Sequence, residues 1–244
     1  MGYATHLDRA NDSGVSDILI PGVTQADWGR ILQLCAIHHP VKRHVALGLH
    51  PCFMSHHSPA SDLSRLESLL DSRHDIVAVG ECGLDLFIDN PHIEDQQRLL
   101  DAQLVLAKRY NLPVVLHVRR AVDLILKALR RHKLPRGGIA HAFSGSVQQA
   151  EQFRDLGFLI GVGGAVTYPR AQRLRKLVST CPIDTIVLET DAPDMPLSGF
   201  QGQSNHPCKV KDVAQAVSQL RDESLEYVST QTHVNVNRLL GLAD

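Results

Sequence analysis

The feature that most constrains the fold is an alternation of short, nearly continuous apolar runs with longer amphipathic stretches along the 244 residues. Seven runs have the length and composition of buried strands, and they span 17–23, 44–51, 76–85, 112–119, 137–145, 158–164 and 185–193. Helical patterns lie between them, for example residues 94–110, where Leu99, Leu100, Gln103, Leu104 and Ala107 form one face. This alternation indicates an α/β fold with a parallel sheet covered by helices.

At this length the alternation predicts a TIM-type (βα)8 barrel, formed by a single domain over residues 1–244. A closed barrel of this type has one strand more than the seven runs found here. The first thirteen or so residues resemble the end of a helix that leads into the strand at Asp17. The sequence therefore predicts a barrel that lacks its first strand, with a gap between the strands at Ile18 and Ile186.

Composition excludes several classes of protein. No run approaches the roughly 20 apolar residues of a membrane-spanning helix, and the N-terminus has no basic and then apolar signal pattern. A cytoplasmic protein without membrane contact is therefore expected. Five cysteines without a CxxC pair indicate reduced, buried thiols rather than disulfides or a zinc knuckle. Since the formal net charge is −1, any nucleic acid would have to bind a local patch.

Polar side chains collect where the predicted strands end, and in such barrels the carboxyl ends of the strands form one mouth that holds the active site. The candidates are His50, Glu81, Asp85, His117, Arg119, His141, Ser144, Glu189 and Asp191. One polar residue at a strand end is commonly structural, but several possible ligands from separate strands indicate a metal site. Imidazoles and carboxylates suit Zn²⁺, Mn²⁺ or Mg²⁺, which acidify water and polarise phosphoryl or carbonyl oxygens.

Seven motifs occur in a specific order along the chain: GLHP (48–51), GECGLD (80–85), LHVRRA (116–121), HAFSG (141–145), IGVGG (160–164), LETDAPDMP (188–196) and GFQGQSNHP (199–207). From about Gly14 to the C-terminus the chain resembles the TatD family of metal-dependent hydrolases, and in particular its bacterial YjjV-like branch. The resemblance implies a TIM-type barrel with two divalent metal ions. It also implies hydrolysis of DNA phosphodiester bonds, with DNA as the partner and the protein acting as a monomer.

The resemblance also implies a role for individual residues. Glu81 would bridge the two metals, His117 and His141 would complete the second metal's ligands, and Asp191 would bind the first metal and help to activate the attacking water. Glu81 and Asp191 are then the catalytic residues. His50 and Arg119 would bind a phosphate of the substrate. Asp85 and Glu189 would orient the metal ligands without binding the metal themselves.

One departure concerns the first metal. The family normally opens with a strand ending in His-x-His, whereas THLD (5–8) contains only His6, which we expect to be an exposed helix residue unrelated to the site. Only Glu81 and Asp191 would then remain for the first metal. We therefore expect about one bound ion and weak hydrolysis. The reading frame upstream of Met1 is expected to encode a short apolar strand ending in His-x-His.

Two other functions remain open on the same barrel. A non-catalytic remnant could bind nucleic acid or a protein partner, and the single histidine of THLD supports it. A small-molecule amidase or lactonase could use the same metal frame. That class favours a carboxylated lysine on a middle strand, where this chain has Glu81, and the glutamate favours the nuclease.

Overall fold

The computed structural model describes residues 2–242, and over this range seven strands form one parallel sheet. The strands follow one another in chain order, and each is hydrogen-bonded to the next. They are β1 Asp17–Gly22, β2 Lys42–Leu47, β3 Ile76–Asp85, β4 Val114–Arg119, β5 Gly138–His141, β6 Phe158–Val162 and β7 Ile186–Leu188. With helices between them, these strands confirm the predicted TIM-type fold and its seven-strand count.

The helices account for the amphipathic stretches. They are α1 Tyr3–Asp12, α2 Gln25–Ala36, α3 Pro59–Ser72, α4 Ile93–Arg109, α5 Val122–His132, α6 Val147–Asp155, α7 Gln172–Thr180, α8 Val210–Arg221 and α9 Leu225–Leu240. Short 3₁₀ turns span Pro51–His56, Gly164–Thr167, Ile183–Thr185 and Pro207–Lys209. The predicted helix 94–110 corresponds to α4, and the first thirteen residues contain α1. None of the helices in this part of the chain is both long and apolar enough to cross a membrane.

Three strands end four or more residues earlier than predicted. The apolar runs 44–51, 137–145 and 185–193 continue beyond the last strand residues of β2, β5 and β7. The backbone explains the difference after β5 and β7, because Ala142 and Asp191 have φ angles of 44° and 58°, in the left-handed region. Extended structure cannot continue through such residues, so the polar ends of these runs lie in loops.

The sheet buries two different faces. Val114 and Leu116 of β4 belong to the large core between sheet and helices, whereas Val115, between them, packs in a separate apolar cluster on the inner face. Successive side chains of a strand alternate between faces. The same alternation therefore places His117 on the inner face of the barrel, above Val115. In β5, Ile139 and His141 are related in the same way.

The C-terminal part of α9 closes the end of the barrel opposite to the mouth. Leu240 packs with Val115 on the inner face, and Val236 and Leu239 pack with Ile139 and its neighbours. The helix is held there by Arg136, just before β5, whose Nη2 donates to the Leu239 carbonyl at 2.7 Å. Helix α9 thus covers the inner apolar layer at one end of the barrel, and the polar strand ends lie at the other.

The two edges of the sheet remain separate, as the sequence predicted, since β1 and β7 are not paired in the described residues. Helix α1 lies beside this opening: Leu7 and Ala10 pack against Val41, and the His6 ring lies 5.0 Å from the His206 ring in the loop after β7. The expectation that His6 is exposed is wrong, because its side chain is half-buried in this contact.

The cover formed by α9 generates a stability prediction. Leu240 is only 8% exposed, so Leu240→Ala leaves a cavity beneath the inner apolar layer. This substitution should lower the free energy of unfolding by about 2–5 kcal/mol. Urea denaturation followed by circular dichroism would measure the change. Val234→Ala, at a position 42% exposed on the same helix, is the control, with a change within about 0.5 kcal/mol. Equal losses in both variants would mean that α9 does not seal the barrel.

Candidate metal centre

The predicted site residues come together at the carboxyl ends of the strands. Glu81 and Asp85 belong to β3, His117 and Arg119 to β4, and His141 to β5. His117 and His141 are direct register partners, and Asp85 is the partner of Arg119. The remaining candidates, His50, Ser144, Glu189 and Asp191, lie in the loops that follow β2, β5 and β7. Parallel strands in register therefore place the imidazoles side by side.

Glu81 is the central carboxylate of this cluster and is only 6% exposed. Its Oε1 lies 3.2 Å from His117 Nδ1 and 3.3 Å from His50 Nε2. Burial on its own would raise the pKa of Glu81, but the hydrogen bonds from His117 and His50 and the positive charge of His141 hold it well below its ordinary value. Glu81 is therefore a buried, ionised carboxylate, as a metal ligand has to be.

His117 is held from its other side by Asp85. The His117 Nε2 atom lies 2.9 Å from Asp85 Oδ2. Asp85 is fully buried, its Oδ1 accepts from the Phe87 backbone N–H at 2.7 Å, and the Gln96 side chain of α4 pairs with its backbone. A carboxylate fixed in this way would hold the proton on Nε2 when Nδ1 binds a metal ion. The lone pair on Nδ1 would then bind the ion in place of the hydrogen bond to Glu81.

His141 is held in the same manner by the two acids that follow β7. Its Nδ1 lies 2.9 Å from Glu189 Oε2, and its Nε2 lies 3.3 Å from Asp191 Oδ1. Burial alone would lower the pKa of His141, but the charge of Glu189 and the hydrogen bonds with Asp191 and Glu189 raise it well above its ordinary value. In the metal-free protein the proton on His141 supplies positive charge to a group of carboxylates.

The two acids reach His141 by a route that differs from the sequence prediction. The predicted strand 185–193 contains both acids, but β7 ends at Leu188, so strand alternation does not set their directions. Asp191 instead turns back through its left-handed backbone. Its loop is anchored by Asn205, whose Nδ2 donates to the Thr190 carbonyl at 2.7 Å. The two nitrogens of the His141 imidazole are therefore contacted by Glu189 and Asp191, which lie two residues apart in the chain.

Two glycines leave room for this arrangement. A Cβ atom at Gly161 would lie 2.3 Å from Glu189 Oε2, and one at Gly83 would lie 2.0 Å from the His117 carbonyl oxygen. Gly83 also has a φ of 149°, which side-chain-bearing residues rarely adopt. These close approaches give a physical reason for the IGVGG and GECGLD motifs.

The donor set fits a divalent metal ion. Each imidazole presents one nitrogen to an inner carboxylate, Glu81 or Asp191, and the other nitrogen to an outer carboxylate, Asp85 or Glu189. Metal-binding histidines commonly have such an outer partner, which orients the ring and raises its basicity. Glu81, His117, His141 and Asp191 could hold a Zn²⁺, Mn²⁺ or Mg²⁺ ion between them.

Two residues of the mouth, Cys52 and Phe87, have positions that were not predicted from the sequence. Cys52 was expected to be buried, but it is exposed at the rim and its Sγ donates to Asp85 Oδ2 at 3.2 Å. Burial of its Sγ side and the Asp85 carboxylate raise the pKa of this thiol to about 12. Phe87 is exposed, and the guanidinium groups of Arg119 and Arg120 lie 4.1 and 4.3 Å from its ring centre. Their only sequence signal is that they follow His50 and Asp85 by two residues.

The comparisons with known proteins agree on one family. A sequence model described as TatD related DNase matches residues 3–241. The uncharacterised metal-dependent hydrolase YjjV of Escherichia coli K12 is 49% identical over 224 residues, covering 91% of this chain and 85% of that protein. A protein of Pantoea sp. At-9b named 3′-5′ ssDNA/RNA exonuclease TatD is 36% identical over 249 residues, covering 96% of this chain and 92% of that protein.

A solved structure gives the same result. The crystal structure of E. coli YjjV, described as a TatD homologue, has a TM-score of 0.94 and 46% identity, and covers 98% of this chain and 92% of that chain. A TIM-type barrel with imidazoles and carboxylates at its strand ends fits a metal-dependent hydrolase, the class named for the E. coli relative. The chain belongs to the TatD family, and within it is a YjjV-like protein.

The raised pKa of His141 predicts how pH affects metal binding. Protonated His141 stabilises the metal-free fold below about pH 6.5, and this contribution is lost as the pH rises through the raised pKa. A metal ion has to displace the same proton. The affinity for Zn²⁺ should therefore increase with pH over this range, with release of protons. Isothermal titration calorimetry in buffers of different ionisation enthalpy would count them.

The matched control for this measurement is His132→Gln, since His132 contacts Asp101 away from the mouth. It should leave the proton release unchanged, while His141→Gln should reduce it. Proton release that is unaffected by His141→Gln would show that another group gives up the proton.

Proposed function

We propose that this protein is a divalent-metal-dependent phosphodiesterase that cleaves DNA, presented as a single strand. The observation that carries the proposal is that the register partners His117 and His141 lie on neighbouring strands at the mouth, with Glu81 beside His117 and a further carboxylate at the other nitrogen of each imidazole. Relatives at lower identity are named 3′-5′ ssDNA/RNA exonucleases, which supports a nucleic-acid substrate.

The metal ligands in this proposal are Glu81, His117, His141 and Asp191. When bound, a divalent ion supplies Lewis-acid polarisation of a phosphoryl oxygen and acidifies water. Glu81 offers its ionised carboxylate from the floor of the mouth, next to His117. Asp191 is the more open of the two inner acids, with a side chain 36% exposed, which supports a role as acceptor of a proton from the attacking water. Glu81 and Asp191 are therefore the catalytic residues.

The number of ions follows from the donors. The contact of Glu81 with His117 and the pairing of His117 with His141 support one ion held by these three residues, whereas among residues 2–242 the family pattern leaves only Glu81 and Asp191 for a second ion. We therefore propose one well-held ion in the described chain. His50 approaches Glu81 at 3.3 Å, so it supports this carboxylate, and its position at the mouth favours the proposed contact with the substrate phosphate.

Exposed aromatic rings at the mouth support a single-stranded substrate. Phe87, 48% exposed in the loop after β3, has two guanidinium groups over its ring, from Arg119 and Arg120. Phe200, in the loop after β7, has Lys209 Nζ at 3.9 Å from its ring centre. Bases of a single strand stack on aromatic rings, while Arg and Lys neutralise the phosphates between them. A small-molecule amidase or lactonase has no use for such pairs.

Two substitutions test the metal ligands. Glu81→Gln and Asp191→Asn should each reduce cleavage of a single-stranded oligonucleotide by more than the roughly 10- to 100-fold typical for an outer partner of a metal ligand. Glu81→Gln should also reduce the bound metal measured by mass spectrometry, because it removes the ionised donor. Asp89→Asn, an exposed acid in the loop after β3, is the control and should leave cleavage unchanged.

Chelator treatment of the unmodified protein should abolish cleavage, and Zn²⁺ or Mn²⁺ should restore it. Cleavage that persists after complete metal removal would rule out the metal-dependent mechanism. Stoichiometric metal binding without cleavage of any nucleic acid would favour the non-catalytic barrel.

The aromatic ring at the mouth gives a second prediction. Phe87→Ala should weaken binding of single-stranded DNA by about 1–3 kcal/mol, or roughly 5- to 150-fold, because one stacking surface is lost. Phe87→Trp should retain it. Fluorescence anisotropy with metal-free protein measures binding without cleavage. Arg119→Ala should reduce affinity and make it less dependent on salt, as expected for loss of a phosphate contact.

The control oligonucleotide has the same backbone but lacks bases at successive positions. Phe87→Ala should have little effect on its binding, whereas Arg119→Ala should weaken it. An equal effect of Phe87→Ala on both oligonucleotides would contradict base stacking.

A further inference from the structure

We propose that His50, Cys52, Asp85 and His117 form an outer metal position at the rim of the mouth, which takes a thiophilic divalent ion such as Zn²⁺ or Cd²⁺ and does not take Mg²⁺. This position is separate from the inner centre around Glu81, although the two share His117. The proposal concerns metal binding and does not require the protein to be a nuclease.

The geometry brings three donors of the right kind together, and Asp85 lies beside two of them. The ligand atoms of His50, Cys52 and His117 all lie within 4.8 Å of one another. Asp85 Oδ2 contacts Cys52 Sγ at 3.2 Å and His117 Nε2 at 2.9 Å. Zinc bonds of about 2.0–2.3 Å in a tetrahedron separate neighbouring ligand atoms by roughly 3.3–3.8 Å. The spacing of these atoms is therefore near that of a zinc site, and rotation of the side chains on binding would complete the coordination.

Charge also favours an ion at this place. In the metal-free protein, Asp85 Oδ2 accepts hydrogen bonds from the Cys52 thiol and from His117 Nε2. A divalent ion would take the place of these two protons. Cys52 releases its thiol proton to solvent on binding, as coordinating thiols do, and the His117 proton moves from Nε2 to Nδ1, so that the ring stays neutral. The Cys52 thiolate and the Asp85 carboxylate then balance the charge of the ion.

The sulfur ligand determines the class of metal. Thiolates select Zn²⁺ and other soft ions, whereas Mg²⁺ prefers oxygen ligands. Cys52 is exposed in the 3₁₀ turn Pro51–His56, so an ion can reach it from solvent. Cys82 by contrast is fully buried in the main core, on the far side of β3 from the imidazoles.

Occupancy of the outer position has a consequence for the inner centre. A neutral imidazole has one nitrogen lone pair. His117 presents Nδ1 to Glu81 and Nε2 to Asp85 and Cys52. An ion bound at Nε2 takes the lone pair that an ion beside Glu81 would use. The outer ion therefore competes with the inner one, and excess Zn²⁺ should inhibit the metal-loaded enzyme.

Cobalt spectroscopy tests the sulfur ligand directly. Metal-free protein titrated with Co²⁺ should develop the intense near-ultraviolet absorption of thiolate-to-cobalt charge transfer. Cys52→Ser and, as a second variant, Cys52→Ala should lose this band. Cys208→Ser, which changes a half-buried thiol in the turn Pro207–Lys209, is the matched control and should keep it. Circular dichroism establishes that each variant is folded.

A thiol reagent gives an independent readout. Zn²⁺ or Cd²⁺ should protect Cys52 from alkylation, with the modified site identified by mass spectrometry, and Mg²⁺ at the same concentration should not. The proposal is overturned if Co²⁺ binds without the charge-transfer band, if the band persists in the Cys52 variants, or if Mg²⁺ protects as well as Zn²⁺.

Activity provides a third readout if the proposed nuclease function holds. The ratio of activity in excess Zn²⁺ to activity in stoichiometric Zn²⁺ should fall severalfold in the natural protein and stay near one in Cys52→Ser. A protein that gives the cobalt band but cleaves no nucleic acid would retain the outer metal position and lose only the proposed function. Equal inhibition of both proteins by Zn²⁺ would contradict the competition at His117.

Discussion

The buried carboxylate of Glu81 is the constraint on which the mouth of the barrel depends. An ionised carboxylate at this depth is costly unless it is paired and hydrogen-bonded. His50 and His117 each place a nitrogen within 3.3 Å of its Oε1, and protonated His141 adds positive charge. The three imidazoles come from β4, β5 and the loop after β2, so this one carboxylate holds several βα units in a common arrangement.

The constraint extends outward through the second nitrogen of each imidazole. Asp85 fixes His117, and Gln96 of α4 in turn fixes the Asp85 backbone. Glu189 fixes His141 and also accepts the Ala142 backbone N–H at 2.8 Å. Helix α4 is therefore linked by hydrogen bonds to His117, one of the proposed metal ligands. The orientations of the His117 and His141 rings are set before any ion binds. Such preorganisation reduces the reorganisation that metal binding requires.

The strand positions and the grouping of the strand-end residues could be predicted from the sequence, whereas the positions of the loop residues could not. Hydrophobic runs predict where parallel strands lie, and parallel strands end at one mouth, so the grouping of Glu81, His117 and His141 follows from the sequence pattern. The positions of Asp191 and Phe87 depend on loop backbone, and the left-handed φ of Asp191 has no signal in hydrophobic periodicity. Cys52 was misplaced because composition describes cysteines as a class and says nothing of one exposed at a rim.

Glu189 and Asp85 are both carboxylates that contact a histidine, but their neighbours give them different roles. Glu189 faces His141 and the Ala142 amide, both hydrogen-bond donors, so it can only orient. Asp85 faces His117 and also Cys52, a thiol that becomes a ligand once it loses its proton. The Cys52 sulfur therefore distinguishes the surroundings of His117 from those of His141. At His141, the nitrogen that faces Glu189, Nδ1, carries a proton. On the Asp85 side a soft metal can compete for Nε2 of His117, so the choice of nitrogen at His117 depends on which metal the protein meets.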